Sequence, residues 1–422
     1  MRDAALQQLV REALERARPD ATVAVLRPLL AEHLGVTEVR LLLANYQLTA
    51  LRPIEDPDDR HVLRDTPAGQ AFETQQPVTR PAPGQGVLVY LPLSARGDRI
   101  GVLHLTFPTD PGASGLRELE DLAAVIAHAV QAASRHTDAL DRAARSQRLT
   151  VAAELQWQLL PGRGSQAPEY QLAGHLEPAY HVRADNFDWS QDGNQLILSV
   201  TDAASAVQGA SLLTTLAVTA LRNARRAGLG PADQACLADQ AIYAYHQGRD
   251  YLSTLLVRID LDTGHASAVL AGSPRLFILR DHQVHQPQLS EQDPLGMFEG
   301  TDYTEDSFTL ATGDRMLLVS DGVHAARSPT QEQFADKRLP QLLAATRDRP
   351  VGAVVRAIID DLFQHRDLAE LDDDAAVLCL DWTGPGEAAA ASTDPSDVAD
   401  VVEGRASPRP RLTIVRPAPE IV

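Results

Sequence analysis

Apolar residues recur at helical spacing through the first eighteen positions, where Leu6, Leu9, Val10, Ala13, Leu14 and Ala17 predict an amphipathic helix over 1–18. A second helix is expected from Val23 to Leu34, closed by Gly35. The runs VTEVRLLLA and YQLTALRPI then read as two strands joined near Asn45. GVLVYLPLSARGDRIGVLHLTF has the form of an antiparallel hairpin turning around Arg96 to Asp98. From Leu116 the pattern returns to helical, with Leu119, Leu122, Ile126, Val130 and Ala133 in phase, and neither proline nor glycine interrupts it before about Leu160. One long helix over 116–160 is the expectation, with an apolar stripe suited to pairing with a second copy of the chain. PGRG at 161–164 ends it.

Between about Pro168 and Trp382 the character changes again. ILSVTD, STLLVRIDLDTGHASAVLAG, RLFILRDHQVH, TLATGDRMLLVSDGV and AAVLCLDW read as strands or strand pairs, while ASLLTTLAVTALRNARR and VGAVVRAIIDDLFQH read as helices. Strands outnumber helices and occur in blocks rather than in strict alternation, which predicts an α+β sandwich and argues against a Rossmann sheet. The expected organisation is an N-terminal helix (1–18), a sensor-type domain (19–135), the long helix (116–160) overlapping its end, a catalytic domain (165–383) and a mostly disordered tail (384–422). The tail is rich in Gly, Pro, Ala, Ser and Asp, with a short docking strand conceivable at Leu412 to Val415.

Composition narrows the function classes. At 422 residues with 44% apolar content, the chain is long enough for two ordinary domains. A formal charge of −19, with no basic arm and no zinc-finger spacing, argues against nucleic-acid binding. Cys236 and Cys379 are too few and too far apart for a disulfide framework or a thiolate metal site. No signal-peptide core and no uninterrupted apolar stretch of about eighteen residues is present. The reading is therefore a soluble cytoplasmic protein with no membrane segment.

Candidate chemistry lies in the acidic residues beside apolar strands: Asp185 and Asp188 in VRADNFDWS, Asp202 in SVTDAAS, Asp321 in LVSDGV, and Asp372, Asp373 and Asp374 in LDDDAAVLCL. Any one of them is ordinary in a turn, because Asp bonds local backbone there. Together, carboxylates converging at strand ends would repel one another unless neutralised, and hard Mg²⁺ or Mn²⁺ ions take such oxygen ligands.

In order and spacing, AELQWQLLP, VRADNFDW, the Asp202 segment, AGSP, DPLGMF, SDGV and DDDAAVLCL resemble the bacterial PP2C-type serine/threonine phosphatases of the sporulation and stress-response (anti-sigma regulating) family. The stretch VYLPLSARGDRIGVLHL resembles a GAF sensor. The resemblance implies a GAF-like sheet-and-helix domain followed by a PP2C-like α/β/β/α sandwich. It also implies two Mn²⁺ or Mg²⁺ ions held by Asp185, Asp202, the backbone carbonyl of Ala203, Asp321 and Asp373, with the four aspartates as the catalytic set. The implied substrate is a phosphoserine or phosphothreonine regulatory protein, for example an anti-sigma factor antagonist, and the implied assembly is a homodimer through the long helix.

The chain departs from the family pattern at two points. Arg183 and Ala184 stand where Gly-Gly or Ser-Gly usually precedes the first Asp, and Ser205, Ala206 and Val207 fill a turn that is usually glycine-rich. These departures keep open an alternative, a catalytically weak or inactive phosphatase-like scaffold that binds a regulatory partner. A third class, a scaffold binding a cyclic nucleotide, follows only from the habits of GAF-type sensors.

Overall fold

The computed structural model describes residues 2–56, 58–83, 86–145, 149–179, 184–203 and 209–385. The first unit comprises α1 (Arg2–Arg16), α2 (Thr22–Leu34), β1 (Glu38–Ala44), β2 (Ala50–Pro53), β3 (His61–Val62), α3 (Pro67–Thr74), β4 (Val78–Pro81), β5 (Val87–Ala95), β6 (Asp98–Phe107) and α4 (Gly112–Ala133). Its strands form one antiparallel sheet in the order β3-β2-β1-β6-β5-β4. The run of leucines in β1 is buried on both faces. Val39, Leu41 and Leu43 meet α2 and α4 through Leu26, Leu30, Leu122 and Ile126, while Leu42 and Ala44 meet Ala71 and Phe72 of α3. The β5–β6 turn places Arg96 and Gly97 at φ 52° and 86°, the left-handed pair that a two-residue hairpin loop demands.

The single long helix expected over 116–160 is not formed. α4 ends at Ala133, a 3₁₀ turn covers Ser134–His136, and two short helices follow, α5 (Ala139–Ala144) and α6 (Val151–Leu159). Thr137 is extended and its hydroxyl accepts from the Ala139 amide, and Thr150 likewise accepts from Ala153. Local threonine caps thus restart the chain where hydrophobic periodicity alone would carry it through. The apolar stripe of α4 is also not free to pair with a second copy, because Leu119, Leu122, Ile126 and Val130 are buried against the first sheet.

The second unit runs β7 (Gly164–Ala167), β8 (Tyr170–Glu177), β9 (Asn186–Asp192), β10 (Gln195–Asp202), α7 (Ala210–Arg226), α8 (Pro231–His246), β11 (Ser253–Asp260), β12 (His265–Ala271), β13 (Arg275–Arg280), β14 (Gln283–His285), β15 (Glu291–Gln292), β16 (Asp306–Thr309), β17 (Arg315–Val319), α9 (Asp321–His324), α10 (Arg338–Ala345), α11 (Val351–His365) and β18 (Ala375–Trp382). One sheet has the order β15-β12-β11-β10-β9, with β16 also on β12, and the other has the order β14-β13-β17-β18-β8-β7. Leu196, Leu198 and Val200 of β10 pack between the sheets against Leu318, Leu378 and Leu380. α7 and α8 cover the outer face of the first sheet and α10 and α11 that of the second, giving four layers, helix, sheet, sheet, helix. The mixed α+β sandwich expected from the strand blocks is present.

The two units meet where the β5–β6 turn abuts β7. The Gln166 amide donates to the Arg96 carbonyl at 2.9 Å and the Arg163 amide to Asp98 Oδ1 at 2.8 Å. Among the described residues no helix is long and apolar enough to cross a membrane. The tail beyond residue 385, including Leu412 to Val415, lies outside the described residues.

Candidate metal centre

Antiparallel pairing brings the acidic segments to one end of the sandwich. β9 begins just after Asp185 and β10 ends at Asp202, with Thr201 opposite Asn186. In the facing sheet β17 runs to Val319, opposite Val377 of β18, so Asp321 follows one strand and Asp373 precedes its neighbour. Segments as distant in sequence as 185 and 373 are thus joined by register alone.

Asp202 is 2% exposed, and its carboxyl is pushed up to about 8, first by burial and then by the facing Asp321 carboxylate, with Asp373 adding to the effect. Ser273 opposes this rise by donating its hydroxyl to Asp202 Oδ2 at 2.6 Å. Asp185 is fully buried, and among the described residues neither of its carboxylate oxygens meets a donor in hydrogen-bonding geometry. Burial raises its pKa well above the ordinary carboxylate range, and Asp202, Asp374 and Asp373 push in the same direction. Oδ1 of Asp321 is likewise buried without a partner among the described residues. Unsatisfied buried carboxylate oxygens are costly, and here the strongest influences on the group are burial and other carboxylates. Among the described residues, no three His, Cys, Asp or Glu side chains are drawn together as a complete ligand set. What the fold does bring together is Asp202 against Asp321, with Asp185 and Asp373 acting on them. Orphaned oxygens and an uphill carboxyl fit hard divalent cations, which take oxygen ligands and favour the ionised form.

The three consecutive aspartates before β18 separate clearly. Asp372 is exposed and paired with Arg366 at 2.7 Å. Asp373 is the one that acts on both Asp185 and Asp202. Asp374 is fully buried as a bracket: Oδ1 accepts from the Ala179 amide, and Oδ2 from the amides of Ala184 and Asp185 and from Nε2 of Gln156. Asp188 lies away from the cluster. It is gripped by Arg222 at 2.7 Å and Arg225 at 2.8 Å, which tie β9 to α7, and Arg222 also donates to the Leu159 carbonyl at the end of α6.

Local backbone explains two motif positions. A Cβ at position 322 would sit 2.0 Å from the Asp374 carbonyl oxygen, so the glycine of SDGV lets α9 start against that strand. Ala184, where the family pattern has glycine, is held at φ 72° while its amide bonds Asp374. Arg183 and the turn residues Ser205, Ala206 and Val207 lie outside the described residues. His324 is held by a bond from Nε2 to the Ser273 carbonyl at 2.9 Å, and burial, with Arg275 nearby, lowers its pKa. A carbonyl can only accept, so Nε2 carries the proton and the neutral ring props the loop that presents Ser273 to Asp202.

Gln156, Ser273 and Arg275 are the residues that pattern reasoning did not single out. Gln156 donates to Asp374 at 2.7 Å and to the Asp185 carbonyl at 3.0 Å, and Arg275 donates to the carbonyls of Gly272, Ser273 and Pro274. AELQWQLLP and AGSP mark the right segments, but polar residues in such positions carry no sign of which partner they will meet.

Residues 192–383 match the family model described as Stage II sporulation protein E (SpoIIE). Protein IcfG of Synechocystis sp. is 30% identical over 122 residues, 29% of this chain, and the match spans only 19% of that relative's length. Among solved structures, the SiaA-PP2C domain of Pseudomonas aeruginosa aligns at 20% identity over 55% of this chain and 94% of that one, with a TM-score of 0.47. The PP2C phosphatase domain and regulatory fragment of SpoIIE from Bacillus subtilis aligns at 18% identity over 52% of this chain and 65% of that one, with a TM-score of 0.45.

Proposed function

We infer, from the match of residues 192–383 to the Stage II sporulation protein E family model together with the motif resemblance to bacterial PP2C-type phosphatases, that the chain is a metal-dependent phosphoprotein phosphatase acting on phosphoserine or phosphothreonine of a regulatory partner. The observation that carries this reading is the buried meeting of Asp202 with Asp321, beside a fully buried Asp185 whose environment is dominated by other carboxylates. Asp202, Asp321, Asp373 and Asp185, with the Ala203 carbonyl, are the groups we assign to hold two Mn²⁺ or Mg²⁺ ions. Such ions, when bound, supply an acidified water and offset charge on the phosphoryl oxygens. The chain's own part is to fix the carboxylates. Ser273 orients Asp202, the Asp374 bracket anchors the backbone before Asp185, and Gly322 admits Asp321. An anti-sigma factor antagonist as the phosphorylated partner rests on the resemblance of the motifs.

Control by the N-terminal domain, which we read as GAF-like, is supported by a contact chain. Tyr46 at the end of β1 stacks on Trp157 of α6, with ring centroids 4.7 Å apart and planes 15° apart. The next residue, Gln156, reaches Asp374 and Asp185. A change in the first domain that shifts α6 would therefore disturb the bracket behind Asp185.

The test is phosphate release from phosphorylated partner proteins by the full chain with Mn²⁺ or Mg²⁺, repeated with D202N and D321N. Metal-dependent release lost in both variants supports the enzyme. Partner binding with no release under either metal would instead support the scaffold reading that the altered residues around Asp202 keep open. Replacing Tyr46 with Ala in the full chain should change turnover if the contact chain transmits; unchanged turnover would remove the control.

A further inference from the structure

Between the two units lies a cavity of about 530 Å³, well apart from the carboxylate cluster. Its walls come from both sides: Gln75, Ser94 and Arg99 from the first unit, and Gln166, Arg315 and Arg349 from the second. The volume is that of a small-molecule site. We propose that this cleft binds a small phosphate-bearing anion, gripped by Arg99 and by the N-terminus of α11.

Arg99 is the first observation. It projects from β6, makes no hydrogen bond or ion pair among the described residues, and is withdrawn far enough from water that burial pushes its pKa down to about 10. Glu73, the carboxylate that opposes this fall, is already paired with Arg356. A half-buried guanidinium with no acceptor among the described residues, lining a cleft, is free to take one from a ligand.

The helix it faces is the second observation. α11 is fifteen residues long, its N-cap is Pro350 with no side-chain cap, and the first of its amides to find a carbonyl is that of Ala353. A Cβ on Gly352 would lie 1.4 Å from Arg99 Nη1, so the guanidinium rests directly on the first turn. A cation against the positive end of a helix is repulsive in a bare protein, whereas an anion bridging the two would satisfy both.

Charge bookkeeping across the cleft points the same way. Arg315 is neutralised by Asp381 at 2.5 and 2.8 Å. Arg99, Arg347 and Arg349 then face only Asp348 among the remaining carboxylates of the lining, although the chain as a whole carries −19. Arg347 contacts His282, which supplies no negative charge. Guanidinium forks and helix amides together suit a phosphate group, and the cavity exceeds the size of one phosphate ion.

The experiment is isothermal titration of the full chain, freed of divalent metal, with pyrophosphate and separately with citrate, on the unaltered protein, R99Q, G352A and D202N. Pyrophosphate is expected to bind the unaltered protein and D202N equally, and to lose at least about tenfold in affinity in R99Q and in G352A, with citrate the weaker ligand. G352A adds a better helix former and displaces the guanidinium from the first turn, so it decides the matter if R99Q unfolds. Equal pyrophosphate affinity in the unaltered protein and G352A, or no binding at millimolar concentration, overturns the site. Binding tightened in D202N, where one repelling charge is gone, places the anion at the carboxylate cluster instead, and citrate bound more tightly than pyrophosphate overturns the phosphate assignment.

Discussion

In the metal-free protein, Asp202 should act as a destabilising residue, and the sign can be worked from its surroundings. Its carboxyl is pushed up to about 8 in the folded chain, against an ordinary value of 3.8. Between those limits the folded state keeps a proton that the unfolded chain has released, so stability falls as pH rises. The ceiling is about 1.4 kcal/mol per pH unit, or roughly 3.5 kcal/mol between pH 5 and pH 7.5. Repulsion between Asp202 and the buried Asp185 carboxyl spreads the titration over a wider range, which makes about 2–3 kcal/mol the expectation for this group. Replacing Asp202 by Asn keeps its shape and removes its charge. The advantage of D202N over the unaltered chain, small only near pH 4, should therefore grow by about 2–3 kcal/mol between pH 5 and pH 7.5 in EDTA, measured by urea unfolding at both pH values. Added Mn²⁺ should reverse the order, because binding to the folded state stabilises only the chain that retains the ligand. A D202N variant less stable than the unaltered chain at pH 7.5 without metal would refute the reasoning, since the carboxylate would then be satisfied by protein groups alone.

Other variants probe the supports. Gln156→Met removes a donor to the Asp374 carboxylate while keeping length and burial, and should lower stability by about 1.5–3 kcal/mol in denaturant unfolding, with phosphate release falling more than stability explains. Arg222→Met breaks the Asp188 latch and the bond to the Leu159 carbonyl. Because it leaves a buried carboxylate with only Arg225, a loss of about 3 kcal/mol is expected by the same measurement. Ala184→Gly should change stability by less than about 1 kcal/mol, since relief of the left-handed backbone is offset by a lost buried methyl and a freer unfolded chain. Ala184→Val, by contrast, should cost more than about 2 kcal/mol, because a branched side chain is forced both into that conformation and against Ala203 and Ala210.

Much of the architecture was legible because periodicity reports burial. β10 begins in alternation, α7 carries its apolar face onto the sheet, and the β5–β6 hairpin turns where Arg96 and Gly97 predict. The long helix failed for a complementary reason. Residues 134–150 keep an apolar phase, yet Thr137 and Thr150 offer the backbone caps that compete with continuation, and pattern counting gives such hydroxyls no weight. The cluster of aspartates was legible through motif order, whereas the division of labour among Asp372, Asp373 and Asp374 was not. Adjacent identical residues differ only in direction, and direction is set by what packs around them: Arg366 outside, Asp202 within, and the amides of Ala179, Ala184 and Asp185 behind. Asp188 has the same chemistry and a matching motif position, and is nonetheless spent on arginines of α7.

The seam between β7 and the hairpin tip bears on how the second unit can be studied in isolation. β7 is the outermost strand of its sheet, and the Arg96 carbonyl takes one of its outward amides. A fragment beginning at the second unit would uncover that border and leave it open to recruit another chain edge to edge. Self-association of such a fragment would then report a missing neighbour rather than a native assembly, because the first unit no longer shields that border.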